Sequence, residues 1–485
     1  MTRKKSPYPK WVTEHRKPGT EIRKIGDRYY IYSVSAYYDA ERKKGRKKTG
    51  KYLGRITEKE GFIEAAFRKV PKTYSPVNAE SLSTKDYGLW AFLQENCQDI
   101  VDGVKQYFPE QWEWMLVALY CRLVHTSPLK NMSYYYRRSF LSEVFEISVS
   151  SKTMAALIKD LGSNRSPIIQ YMKHLSGDRN LVLMDATSIV SYSENLTRVE
   201  KGLTKYKSFE PLFNLLYFYC PDNYMPAYYR LFNGNIKDVK MVTMALKESG
   251  YQKAMIIADK GFYSAANLKL LEKEKLKYII PLHRNSTLIK KSRYKKMTST
   301  TNNFLFSERV IYYDSYQVVK GRKIYLYIDE SMMAKEKRDF IHRMKKHPQE
   351  YTKQKFETQL PNFGSFAVIT NQVEDAEKVF LNYKSRCGVE VLFDGVKNIL
   401  GNDYTYMQND EALEGWMFIN HLALQVHHKI YALLKERKLL SKYSIRDFIT
   451  FLSDIRKVKV NKEWVLEPMI DKQKKLVKDM GITIP

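Results

Sequence analysis

Cysteine is scarce in this chain, and the four present stand far apart. Cys97, Cys121, Cys220 and Cys387 form no CxxC pair and no Cys/His zinc spacing. That excludes a disulfide framework and a zinc ribbon, and it predicts reduced, structural thiols in a cytoplasmic protein. Nine histidines include no HExxH motif, and His427 and His428 are adjacent, so on any helix they point to different sides. A metal site must therefore draw on carboxylates. No apolar run approaches a membrane span, and the basic start "MTRKKSPYPKWV" lacks the apolar core of a signal peptide. There is no internal repeat and no low-complexity segment. Acidic residues are also in deficit: 82 Lys and Arg face 53 Asp and Glu, a formal charge of +29. Such an excess suits a polyanion, DNA or RNA first, with an anionic membrane as a rival weakened by the lack of an amphipathic basic helix.

What is present is a soluble globular composition, 44% hydrophobic and 28% charged, with 37 tyrosines. At 485 residues the chain is too long for one core. Residues 1–75 are basic and aromatic: "RYYIYSVSAYYD" (28–39) predicts a strand, and "RKKGRKK" (42–48) a hairpin tip or loop, touching phosphates or simply solvated. Residues 76–178 are helical by period; within them "VSSKTMAALIKDLGSNRSPIIQYMKHL" (149–175) predicts helix, a turn at Gly162, and helix. That pair is either two packed helices or a groove-reading helix-turn-helix. From 179 to 282 come the apolar runs "LVLMDATSIV", "FNLLYFYC", "MPAYYRLF", "AMIIAD" and "KYIIPL", the last three separated by helical stretches, with Ser264 as an N-cap. Residues 283–371 are strand-rich with basic loops, 372–405 are helical, and 406–485 form a helical C-terminal region.

The stretch "YKSRCGVEVLFDGVK" (383–397) carries the chemistry. On one helix, with Tyr383 at zero, Arg386 falls near roughly 300°, Glu390 near 340° and Lys397 near 320°. Leu392, Val396, Val389 and Ile399 form a separate apolar stripe between roughly 160° and 240°. Asp394 falls near roughly 20°, so geometry does not choose between it and Glu390. A polar stripe of this kind is also what any solvated helix face displays. Gly388 and Gly395 count against helix by about 1 kcal/mol each relative to alanine. Two further carboxylates stand at the ends of apolar runs, Asp185 in "LVLMDATS" and Asp259 in "MIIAD". A charge there is costly unless paired, capped or bound to metal. Three carboxylates could hold two Mg²⁺ ions that polarise a scissile phosphate, with lysine and arginine offsetting the developing charge.

The spacing Tyr-x2-Arg-x3-Glu-x6-Lys, met by Tyr383, Arg386, Glu390 and Lys397, resembles the signature of the DDE transposases of bacterial insertion-sequence family four and its relatives. "LVLMDATS" and "IIADKGFYS" resemble that family's first and second aspartate motifs, and "FNGNIKD" the stretch between them. The resemblance covers roughly 180–400. It implies an α/β, RNase H-like catalytic domain split by a β-rich insertion (283–371), flanked by an N-terminal basic β region, a helical DNA-binding region and a helical C-terminus. Asp185, Asp259 and Glu390 would be the catalytic and metal-binding triad, in preference to Asp394, with Mg²⁺ as cofactor and Mn²⁺ as a substitute. Tyr383, Arg386 and Lys397 would hold DNA phosphates. The implied activity is cut-and-paste transposition: cleavage at terminal inverted repeats, then joining of the 3′-hydroxyls to target DNA by a protein dimeric on DNA. The alternatives are a domesticated, non-catalytic DNA-binding regulator and a nuclease on the same fold. Two departures stand out. Cys387 replaces the tryptophan common after the signature arginine, and all six tryptophans lie outside 186–400. Some relatives stack a flipped base on an insertion-domain tryptophan when they form a DNA hairpin; here a tyrosine such as Tyr312, Tyr313 or Tyr325 would have to substitute by stacking.

Overall fold

The computed structural model describes residues 6–39, 43–65, 83–177, 181–203, 208–236, 238–251, 255–297, 302–319, 321–400, 405–460 and 462–485. The side chains of residues 203, 238, 239, 295, 387, 389 and 397–400 are outside that description. Two compact units emerge, Met1–Ser81 and Leu82–Pro485.

The first unit is a four-stranded antiparallel sheet in the order β1 (Thr20–Ile25), β2 (Arg28–Asp39), β3 (Lys44–Thr57), β4 (Gly61–Glu64). Gly26, at φ 62°, opens the two-residue turn between β1 and β2, a position where a Cβ is strained. One face carries Ile22, Tyr29, Ile31 and Ile56 and is covered by Trp11 and Val12 of the helical turn Lys10–Thr13. The basic run 44–48 is not a loop. It continues β3, because the register set by Tyr29↔Ile56 and Ile31↔Gly54 carries on past two irregularities to Asp39↔Lys44. Residue 42 lies outside the described residues.

The second unit begins with β5 (Ser83–Asp86) and the helices Gly88–Asn96, Gln98–Tyr107, Trp112–His125, Met132–Arg138, Ser151–Ser163 and Arg165–Ser176. Gly162 is inside a helix rather than in the turn, which falls at Asn164. A Cβ on Gly162 would lie 1.7 Å from the Glu411 carbonyl oxygen, and one on Gly415 1.9 Å from that of Ile158. Glycine thus permits the crossing of this helix with the long helix Asp410–Glu436. The helix after the turn is anchored by Arg165, whose guanidinium pairs with Glu414 and, at 2.9 Å, with Glu248. The pair is therefore packed against its neighbours.

The main sheet has ten strands: β6 (Leu181–Val190), β7 (Glu200–Leu203), β8 (Phe209–Cys220), β9 (Met225–Asn233), β10 (Met255–Ile257), β11 (Lys277–Pro281), β12 (Asn303–Phe306), β13 (Arg309–Val319), β14 (Arg322–Asp329) and β15 (Ser365–Thr370). Their order is β12-β13-β14-β15-β11-β10-β6-β8-β7, with β9 also on β8. Only β6–β10 and β10–β11 are parallel; their crossovers run through the helices Asp238–Ser249 and Ala265–Lys273. Ser264 caps the second of these by accepting from the Asn267 amide. The strand-rich stretch 283–371 extends the same sheet, since β15 pairs with both β14 and β11. The near-continuous apolar runs of β8 and β9 reflect cover on both faces.

The C-terminal region is helical except for a hairpin, β16 (Arg456–Val460) with β17 (Glu463–Leu466), which joins β5 in a small sheet. Its period-two pattern, "RKVKV" and "EWVL", is short and easily overlooked beside longer helices. Cys97, Cys121 and Cys220 are buried, and burial pushes the thiols of Cys97 and Cys121 up to about 12, which makes them inert. No helix among the described residues is long and apolar enough to cross a membrane.

Candidate active site

Register brings the two aspartates together. In the parallel pair β6–β10, Leu183 lies opposite Ile257. Two residues further on, on the same face, stand Asp185 and Asp259. Here β10 stops, and Asp259 turns out to cap a short 3₁₀ turn by accepting from the Lys260 amide. Asp185 is not at a strand end, as the sequence suggests. Instead β6 runs on to Val190, paired along its other edge with β8. What opens the site is the end of the neighbouring strand, which uncovers one edge of β6.

Arg386 fills the gap. Its Nη1 donates to Asp259 Oδ1 at 3.2 Å and its Nη2 to Asp185 Oδ2 at 3.3 Å. Its Nε is buried with no hydrogen-bond partner among the described residues. Burial pushes the Asp185 carboxyl above its ordinary value. The Ala186 N–H and Arg386 pull it back only in part, and the Asp259 charge adds to the rise.

The stretch 383–397 is not one continuous helix. A helix Ala376–Lys384 ends, the chain turns at Ser385 and Arg386, and a second helix runs Cys387–Leu400. The Arg386 and Gly388 amides donate three residues back, to Tyr383 and Ser385, and the Ser385 hydroxyl donates to the Asn382 carbonyl. This step separates the stripe drawn from ideal helical angles. Arg386 reaches the aspartates, while Tyr383 is half-buried with its ring 5.6 Å from that of Phe366 on β15. Glu390 is exposed and lines a cavity of about 850 Å³ with Asp394, His427, Tyr431, Tyr443 and Arg446. Lys397 lies on the second helix, and its side chain is outside the description.

Of the apolar stripe, Leu392 and Val396 are buried, while the side chains of Val389 and Ile399 lie outside the described residues. The two glycines that weaken the helix have a packing reason. A Cβ on Gly388 would sit 2.5 Å from the Tyr219 ring, and one on Gly395 2.7 Å from Leu424. They let the helix press onto β8 and the long helix, and that contact sets the position of Arg386. Only the oddity of two glycines in a good helical pattern signals this in the sequence. Tyr325, a candidate for stacking, is buried with its hydroxyl donating to the Glu374 carbonyl, whereas Tyr312 and Tyr313 are half-buried.

Two partly buried carboxylates, one on β6 and one just past the end of β10, are hard oxygen donors of the type divalent cations take, and desolvation of Asp185 favours a cation beside it. In this arrangement the Arg386 guanidinium supplies that charge. Among the described residues no group of three His, Cys, Asp or Glu is placed to hold an ion. The aspartate pair supplies two of the carboxylates such a site needs, while Glu390, four residues past Arg386 and beyond the Ser385–Arg386 step, is not grouped with them in this arrangement.

The paired carboxylates thus stand in the interior of a mixed sheet, where β10 ends beside β6, on a strongly basic α/β protein. The family model described as the transposase DDE domain matches residues 176–426, more than half of the chain, and the chain belongs to that family. No curated protein matches it. Among solved structures, it is similar to a cryo-EM structure of the piggyBac transposase synaptic complex with hairpin DNA. The identity is 12%, covering 76% of this chain and 79% of that one, with a TM-score of 0.40.

Proposed function

We propose that this chain is a cut-and-paste DNA transposase of the insertion-sequence family-four type, with an RNase H-like core. The reading rests above all on one observation. Asp185 on β6 and Asp259 just past the end of the parallel neighbour β10 are bridged by the signature residue Arg386, which reaches both. The RNase H-like reading is supported by the antiparallel run β9-β8-β6 feeding the parallel unit β6-β10-β11, with the carboxylates where the two meet.

In this proposal Asp185, Asp259 and Glu390 would hold Mg²⁺, or Mn²⁺ in its place, and the bound ion would replace the charge that Arg386 now supplies to the aspartates. The ions supply Lewis-acid stabilisation of the scissile phosphate. Arg386, Tyr383 and Lys397 hold phosphates on either side, the cations offsetting charge as it develops. Water opens the phosphodiester at each end of the element, and the freed 3′-hydroxyl attacks target DNA. Atoms balance, because each step exchanges one phosphorus–oxygen bond for another. Two ends held together call for a dimer on DNA, and the working compartment is the cytoplasm.

The test uses the full chain with duplexes that carry the DNA flanking its coding sequence. Asp185→Asn, Asp259→Asn and Glu390→Gln are each expected to abolish Mg²⁺-dependent strand cleavage while leaving duplex binding within about threefold, since no phosphate contact is removed. Full cleavage by all three variants overturns the proposal. A strand-transfer assay separates it from a nuclease, which cuts without joining, and from a regulator, which binds without cutting.

A further inference from the structure

In the N-terminal unit, β1 and β4 accompany β2 and β3 for only part of their length. β1 pairs with β2 as far as Ser33, and β4 with β3 only over Gly54–Thr57. Beyond that the ladder is two strands alone, through Ser35↔Lys48, Ala36↔Lys47, Tyr37↔Arg46, Tyr38↔Gly45 and Asp39↔Lys44. Nearly every residue in it is exposed, including Tyr37 at 48% and Tyr38 at 68%. Large rings exposed at a strand pair with no core beneath them contribute little to folding.

Side chains directly opposite in an antiparallel ladder share a face. Lys44, Arg46 and Lys48 therefore lie on one face with Tyr37, and Lys47 lies on the other with Tyr38. Lys47 pairs with Glu21, and the Arg46–Asp39 pair is loose, at 3.5 Å. The ribbon thus offers three cations with Tyr37 on one face, and on the other Tyr38 beside a lysine already partnered by Glu21.

We propose that this ribbon enters the major groove of duplex DNA. Five residue pairs span about 17 Å, and two strands lie about 4.8 Å apart. With side chains they fit a groove about 12 Å wide and 8.5 Å deep, which admits a two-stranded ribbon. Arg46 and the lysines would meet phosphates and guanine edges, while Tyr37 and Tyr38 offer hydroxyls and apolar faces to bases. Duplex RNA is disfavoured because its major groove is too narrow for side chains to read. Single strands are disfavoured because the two rings point to opposite faces and make no common stacking platform. The inference goes beyond the catalytic reading and rests on it only in taking DNA as the partner.

The test compares the full chain, Arg46→Ala/Lys48→Ala, Tyr37→Ser, and the control Lys345→Ala/Lys346→Ala, which removes equal charge from the exposed helix Glu330–Lys346. The probe is a duplex carrying the DNA that flanks the coding sequence. For the ribbon double variant, affinity is expected to fall about tenfold or more and the salt dependence of binding to drop by about two counterions. Protection of guanine N7, a major-groove atom, from methylation disappears. Tyr37→Ser keeps the salt dependence but loses part of the N7 protection. The control keeps its N7 protection, and thermal melts of all four proteins coincide. Unchanged N7 protection in the ribbon variants, or protection confined to the minor groove, overturns the inference. Failure of the transposase reading looks different: the parent chain protects N7 but leaves the DNA uncut with Mg²⁺.

Discussion

In the ten-stranded sheet, Tyr217, Tyr219, Tyr228, Tyr229, Tyr278, Tyr325 and Tyr327 are buried, and several hydroxyls find acceptors inside. Tyr228 donates to Glu248, Tyr278 to Glu272 and Tyr327 to the Ala376 carbonyl. In the N-terminal sheet, Tyr37 and Tyr38 stand in solvent, and Tyr30, Tyr32 and Tyr52 form a ring cluster with Arg23 over Tyr32 at 5.5 Å. The residue type and the secondary structure are the same, yet the fates are opposite. Coverage decides between them. The large sheet has helices on its faces, whereas one helical turn covers part of one face of the small one. Abundant tyrosine is therefore not in itself a mark of a binding surface. It becomes one where no acceptor and no core awaits the ring.

This contrast can be broken most forcefully at Glu414, whose 3% exposed side chain pairs with Arg165 and Arg198. Glu414→Gln takes from Arg198 its carboxylate and from Arg165 one of two, leaving it Glu248, and is expected to cost the larger unit roughly 3 kcal/mol. In a thermal melt its transition falls, while Arg46→Ala in the small sheet moves nothing. Gly162→Ala, which drives a methyl group into the Glu411 carbonyl, is expected to cost about 2–3 kcal/mol. Gly45→Ala, with nothing within 4 Å, stays within a few tenths of a kcal/mol by chemical denaturation.

Acid distinguishes the units next. Burial holds His421 down to about 3 and His427 to about 4, with His428 also depressed. These imidazoles are neutral when folded, but once unfolded they take up protons below about pH 6.5. The unfolded state then binds more protons, so stability falls as pH drops from 6.5 towards 4, by on the order of 1.4 kcal/mol per pH unit for each ring. Denaturant midpoints measured between pH 7 and 5 should fall for the larger unit, and His421→Gln should flatten the slope. The smallest contrast is between two rings. Tyr327→Phe removes the hydroxyl's bond to the Ala376 carbonyl and should cost about 1 kcal/mol, whereas Tyr38→Phe should fall within 0.5 kcal/mol on the same melts.

Much of this was legible from sequence. The strand Arg28–Asp39, the apolar strands of the large sheet and the Ser264 cap follow from local pattern, because burial and capping act over a few residues. Asp185 and Asp259 were visible as charges in apolar runs. What pattern could not convey was how separate segments meet. Gly162 reads as a turn residue in the sequence until a helix crossing shows why it and Gly415 must both lack a side chain. The Ser385–Arg386 step escapes ideal helical arithmetic, which assumes one uninterrupted period and so aligns Tyr383, Arg386 and Glu390. The β16–β17 hairpin was hidden because its partner, β5, lies some 370 residues earlier in the chain.

The arginine between the aspartates also sets how the protein's electric field changes with distance. Over the first screening length outside the surface, a polyanion meets a molecule of formal charge +29 and is drawn in. Beyond about 8–10 Å ordinary salt screens that pull, so each phosphate senses mainly its nearest neighbours. At the site those neighbours are two carboxylates and one guanidinium, a local excess of negative charge. Attraction at long range thus gives way to repulsion at the last step. Monovalent salt and divalent cations should therefore act in opposite senses, the first weakening capture and the second permitting contact.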